Sequence, residues 1–162
     1  MPIVQWCEWL QNLRFPSEIR ESDWLFPAIE TVHVLAVVLV FGAVAWVDLR
    51  LLGLAGRARR VTQVTAQWLP LAWSAFVVAA LAGSLLFSSN AVTYYGDLPF
   101  RLKMACLALA GLNMAFFHAT TYQRVAGWDQ GAPPASARLA GGLSLFLWIT
   151  VVAAGRWIGF TT

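Results

Sequence analysis

The apolar residues of this chain fall into four long runs, which are separated by short polar stretches. The runs cover residues 27–46, 66–87, 102–122 and 139–160. Each has about the 20 residues that a helix needs to cross the hydrocarbon core of a bilayer. The pattern therefore predicts an all-α integral membrane protein, in which residues 23–162 form one domain, a four-helix bundle.

The first 22 residues have a different pattern, because apolar side chains recur among polar ones at helical spacing. Trp6, Trp9, Leu10 and Leu13 are examples, and Pro16 interrupts the pattern. This predicts a short amphipathic helix on the membrane surface, with its tryptophans at headgroup depth. Docking of the same face on a partner subunit is an open alternative. The segment lacks the basic start and apolar core of a signal peptide, so we expect no cleavage.

Composition agrees with a membrane protein, since 59% of the 162 residues are hydrophobic and 12% are charged. The net charge of +3 does not indicate nucleic acid binding, because the arginines lie at the ends of apolar runs. Those in the two predicted loops are Arg50, Arg57, Arg59, Arg60, Arg124 and Arg138. The positive-inside rule then places both loops in the cytoplasm and both termini on the outer face of a bacterial inner membrane. Cys7 and Cys106 are expected to be unpaired.

Ionisable residues inside the apolar runs are the candidates for function. Glu30 and His33 lie in the first run, where an unpartnered charge costs about 2.5 kcal/mol or more. Arg101 and Lys103 open the third run, and Arg156 lies near the end of the fourth. Because alternate runs cross the membrane in opposite directions, all five are expected in the outer third of the bundle.

No soluble-enzyme motif such as HExxH, CxxC or GxGxxG is present. Glu30-x-x-His33 is similar to the unit of di-iron bundles, but those need a second unit and two further glutamates. Haem b fits better, because histidine is its common ligand and basic residues hold its propionates. His33 is the candidate axial ligand, with Lys103, Arg101 and Arg156 as propionate partners.

His118 is the second histidine of the chain and the obvious second ligand. At 1.5 Å per residue it lies about 16 Å deeper than His33, unless the first helix begins earlier. Either the two histidines belong to different haems or only one of them is a ligand. Two ion pairs are the structural alternatives, Glu30 with Lys103 and Asp48 with Arg50.

Several motifs of the chain resemble those of a bacterial family of small four-helix membrane proteins of unknown function. They are Glu30-Thr31-Val32-His33, Asp48-Leu49-Arg50-Leu51-Leu52-Gly53, Arg101-Leu102-Lys103, Asn113 with Phe117-His118, and Gly155-Arg156-Trp157-Ile158-Gly159. More distantly, the chain is similar to haem-dependent protoporphyrinogen oxidases and CopD-type membrane proteins. That resemblance implies His33 as a haem ligand and Lys103 as a second ligand or close partner.

These observations favour a membrane b-type haem protein, an electron-transfer subunit or anchor that exchanges electrons with a protein partner or with the quinone pool. One alternative is a cofactor-free accessory subunit that docks on a larger complex through its N-terminal segment or outer face. The distant resemblance implies a second alternative, a porphyrinogen oxidase-like enzyme. A permease ranks last, because the second apolar run carries no charge.

Overall fold

The computed structural model describes residues 2–161, which form helices and connecting loops without a strand. The α-helices are α1 (Pro2–Gln11), α2 (Arg14–Glu21), α3 (Leu25–Leu51), α4 (Val61–Ser89), α5 (Ala91–Gly96), α6 (Leu98–Ala119) and α7 (Ala135–Thr161). Four of them, α3, α4, α6 and α7, are long and apolar enough to cross a membrane. The predicted all-α membrane bundle is therefore confirmed.

The spanning helices extend beyond the apolar runs at most of their ends. α3 continues to Leu51, and α4 begins at Val61 rather than at residue 66. Polar residues in these end turns still form backbone hydrogen bonds, so hydropathy underestimates the helix length. Pro70 consequently lies in the interior of α4. The third spanning helix ends earlier than predicted, at Ala119, because the chain turns into a 3₁₀ helix at Tyr122–Gly127.

The bundle is held together by three of the possible helix pairs. α3 packs against both α4 and α7, and α6 packs against α7. A row of buried alanines on α4, which includes Ala75, Ala79 and Ala82, allows the close approach of α3. Across residues 2–161, α4 and α6 do not form a comparable pair. A groove therefore remains between them.

The end of the bundle that carries the two arginine-containing loops, here called the arginine-rich end, is closed by buried polar contacts. Arg50 is 1% exposed, and its guanidinium donates to the carbonyls of Arg59, at 3.0 Å, and Asp129, at 3.3 Å. Asp129 in turn accepts from the N–H and the hydroxyl of Thr62, each at 2.9 Å. Arg50 is thus engaged by loop carbonyls, and the predicted pair with Asp48 was wrong.

The N-terminal segment forms two helices that pack on the opposite end of the bundle. Cys7 and Ile19 are buried there, and Arg20 donates to the carbonyl of Ser89 at 3.1 Å. The break lies between Gln11 and Arg14 rather than at Pro16, because a proline is tolerated in the first turn of a helix. The large side chains on the other face are exposed, among them Ile3, Trp6, Trp9 and Phe15. Both cysteines are free, as predicted.

Candidate functional site

His33 is held in a defined orientation by helix α4. Its Nδ1 lies 2.8 Å from the carbonyl oxygen of Ala79. Because a carbonyl only accepts, Nδ1 carries the hydrogen and Nε2 of the neutral ring keeps its lone pair. A Cβ atom on Gly83 would lie 2.9 Å from His33 Cε1. The glycine therefore provides the space that the ring occupies.

Lys103 approaches His33 from the far side of the bundle. Its Nζ lies 3.5 Å from His33 Nε2. A Cβ atom on Gly155 of α7 would lie 3.6 Å from this ammonium, so the lysine stem runs along a glycine surface. Within residues 2–161, no carboxylate oxygen lies within 4.0 Å of Lys103. The alternative of a Glu30–Lys103 ion pair is therefore not realised.

These two side chains open onto a cavity of about 720 Å³, here called the histidine–lysine cavity. Its polar lining includes Glu30, His33, Lys103 and Arg156, so four of the six predicted site residues converge. Arg101 is exposed and does not line this cavity. One wall is aromatic and consists of Phe26, Phe87, Tyr94 and Phe100.

Rings of this aromatic wall pack against one another. The rings of Phe87 and Phe100 stack with centroids 5.3 Å apart and planes 15° apart. Burial raises the pKa of the Tyr94 phenol, and the nearby Glu30 carboxylate raises it further. Tyr94 therefore remains a protonated hydrogen-bond donor at neutral pH. The Arg156 guanidinium lies 4.7 Å from the centre of the Phe160 ring, a cation–π distance.

His118 lies in a different place, along a groove of about 160 Å³ that is lined mainly by the halves of the four spanning helices nearer the arginine-rich end. We call it the aspartate groove, after Asp48 in its lining, and it shares no lining residue with the histidine–lysine cavity. His118 Nδ1 is 2.9 Å from the carbonyl of Met114. Lys103 and His118 are separated by about 22 Å along α6. The structure does not bring His33 and His118 together.

The residues of the histidine–lysine cavity fit a haem better than a carboxylate-bridged metal centre. Histidine ligands of metals typically donate their other ring N–H to a carbonyl or carboxylate, as His33 does to Ala79. The cavity volume falls in the range of cofactor sites. In the part of the chain that the structure describes, no group of three or more His, Cys, Asp or Glu residues could hold a metal ion. The di-iron alternative therefore has no support.

Sequence reasoning missed the residues that orient the histidine. The Ala79 carbonyl carries no sequence signal, since any residue supplies one. Gly83 does carry a weak one, because an isolated glycine inside a helical pattern often marks a close packing contact.

Comparison with known proteins places the chain among proteins of unknown activity. No curated protein matches it, and no solved structure does. A family model described as "Family of unknown function (DUF6644)" matches residues 26–161, from the first turn of α3 to the end of α7. The match covers all four spanning helices and every residue of the histidine–lysine cavity. The chain belongs to this family.

Proposed function

We propose that this protein is a membrane b-type haem protein that holds its haem in the histidine–lysine cavity, with His33 as an axial ligand. The supporting observation is the hydrogen bond from His33 Nδ1 to the Ala79 carbonyl, which presents the Nε2 lone pair to the cavity. A bound haem would supply one-electron transfer. The protein would act as an electron-transfer subunit or anchor in a bacterial inner membrane, coupled to a partner or to the quinone pool.

The other residues of the cavity have matching roles. Arg156 lies at the end of the cavity nearest the N-terminal helices and supplies a cation for a propionate, which haem sites require near the interface. Lys103 is the second ligand or a close cationic partner, as its 3.5 Å approach to His33 Nε2 allows. The aromatic wall supplies the apolar surface for a porphyrin. Arg101 has no role in this proposal, because it is exposed and does not line the cavity.

The proposal is tested by a dithionite-reduced minus oxidised spectrum of the detergent-purified protein, with a pyridine haemochrome assay for stoichiometry. We expect Soret and α bands with one haem per chain. His33→Ala should abolish the bands, and the matched control His118→Ala should retain them. Unchanged haem content in His33→Ala, or loss in His118→Ala alone, would contradict the ligand assignment.

A cofactor-free accessory subunit is the second candidate, and a specific contact favours it. Lys103 and His33 already hydrogen-bond to each other, so these partly buried polar groups have a partner without haem. The exposed face of α1 and α2, with Trp6 and Trp9, is then the docking surface for a larger complex. Two results together would establish this function instead. The protein would be colourless after haem-supplemented expression, and it would copurify with a stoichiometric partner that the double variant Trp6→Ala/Trp9→Ala no longer binds.

A further inference from the structure

The aspartate groove has the size and position of a binding site for a small ring. It lies where α4 and α6 fail to pack, so its open side faces the lipid rather than water. Its volume of about 160 Å³ is comparable to the ~150 Å³ engineered cavity that binds benzene. Its walls are largely apolar, with Trp73 and Phe76 from α4 and Leu107 and Met114 from α6. A molecule dissolved in the bilayer can therefore enter sideways.

The lining also contains a buried carboxyl group, that of Asp48, which lies near the Ser144 hydroxyl and keeps one oxygen unpaired. Asp48 is 4% exposed, and its Oδ2 atom has no hydrogen-bond partner. The one cation near it in sequence, Arg50, is bound to the carbonyls of Arg59 and Asp129. An unsatisfied buried polar atom lowers the stability of the fold, so we expect a ligand to donate a hydrogen bond to this oxygen.

A second acceptor lines the same groove. His118 Nδ1 lies 2.9 Å from the Met114 carbonyl, so Nδ1 carries the hydrogen and Nε2 keeps its lone pair. A ligand with two hydroxyl donors supplies one donor for each of these acceptors. A lipid acyl chain offers no donor to either of them.

We propose that the aspartate groove binds a lipid-soluble quinol, with one ring hydroxyl donating to Asp48 and the isoprenoid tail leaving between α4 and α6. This site is distinct from the histidine–lysine cavity, with which it shares no lining residue. The binding step does not depend on the haem proposal. Where both hold, the quinol is the membrane-soluble electron carrier of that function.

Two glycines make a matched pair of variants for the test. Gly111 lines the groove, and a Cβ atom there would meet nothing within 4 Å. Gly42 on α3 is equally open but lies outside both cavities. Gly111→Phe therefore fills the groove, while Gly42→Phe adds the same side chain elsewhere in the bundle. Asp48→Leu removes the acceptor by replacing the carboxyl group with an apolar side chain that also branches at Cγ.

The experiment measures binding of a radiolabelled decyl-tailed benzoquinol to the full chain in nanodiscs under anaerobic conditions. We expect saturable 1:1 binding that weakens at least tenfold in Gly111→Phe and in Asp48→Leu and is unchanged in Gly42→Phe. The dimethyl ether of the same quinol, which has no O–H donor, should compete at least tenfold less well. His33→Ala should bind quinol normally. A wild-type protein that binds quinol but shows no haem bands would overturn the haem proposal alone.

Three results would overturn the quinol site. Equal binding by Gly111→Phe and Gly42→Phe would place the ligand elsewhere. Equal competition by the dimethyl ether would show an apolar lipid site without a hydrogen bond to Asp48. Absence of quinol binding, together with a dimer that Gly111→Phe dissociates, would show that a second copy covers the groove.

Discussion

At the scale of single residues, Gly83 decides whether His33 can keep its orientation. A methyl group at Gly83 would lie 2.9 Å from His33 Cε1, a distance at which the ring must move. Gly83→Ala should therefore break the bond to the Ala79 carbonyl and lower the haem content per chain severalfold, measured by the α-band absorbance. Gly42→Ala is the control, because nothing lies within 4 Å of its added atom. Equal haem content in the two variants would show that the orientation of His33 does not matter.

Asp129, in the loop before α7, caps the N-terminal end of α4, because its carboxylate accepts hydrogen bonds from Thr62. Burial raises the pKa of its carboxyl, but the hydrogen bonds from Thr62 and the charge of Arg60 lower it more, so the pKa lies below its usual 3.8. The charged form therefore stabilises the fold above pH 3.8, and this contribution is lost as the pH falls through the lowered pKa. Asp129→Ala should cost about 1 kcal/mol at pH 7, as lost caps do.

Unfolding in detergent at pH 7 and at pH 3 measures this effect. The difference between wild type and Asp129→Ala should shrink at the lower pH. Asp23→Ala is the control, since this exposed carboxylate makes no side-chain hydrogen bond to any residue from 2 to 161. A difference that is the same at both pH values would show that the carboxylate charge contributes nothing.

At the scale of elements, the contact between α3 and α7 depends on one of two neighbouring glycines. A Cβ atom on Gly141 would lie 3.0 Å from Leu51 Cβ and 3.1 Å from the Asp48 carbonyl oxygen, whereas one on Gly142 would be 3.6 Å from a Leu52 methyl. Gly141→Ala should thus push the helices apart at a cost of about 1–3 kcal/mol, as overpacking does. Gly142→Ala should be neutral or slightly stabilising, because alanine favours helix over glycine.

Thermal unfolding of these two variants in detergent, followed by circular dichroism, provides the measurement. A lower midpoint for Gly141→Ala alone is the expected outcome. Equal midpoints would mean that α3 and α7 adjust to the added methyl group at no cost.

At the scale of the whole molecule, the arginines of both long loops lie at one end of the bundle, which predicts the orientation in the membrane. This end carries Arg57, Arg59, Arg60 and Arg124, all of them exposed. The positive-inside rule places it in the cytoplasm.

Ala126→Cys and Thr93→Cys put an exposed thiol at opposite ends. A membrane-impermeant maleimide should label only Thr93→Cys in intact spheroplasts and Ala126→Cys in inverted vesicles, and the reverse pattern would contradict this orientation. The native cysteines add little background because both are buried.

What could be predicted from sequence is the position of each residue along its helix. Run length and apolarity identified four spans, because a membrane requires helices of a minimum length. A rise of 1.5 Å per residue then placed Glu30, His33, Lys103 and Arg156 at one level and separated His33 from His118. The structure agrees with both results.

Rotation about the helix axis and the choice of neighbours depended on tertiary packing. Arg101 and Lys103 are two residues apart, yet one faces outward and the other contacts His33. Arg50 binds loop carbonyls from two segments, which leaves the Oδ2 atom of Asp48 without a partner in a groove that exists because α4 and α6 do not pack. An apolar helix in lipid has no polar face to set its rotation, so only the fit of small and large side chains between particular helices decides which groups meet.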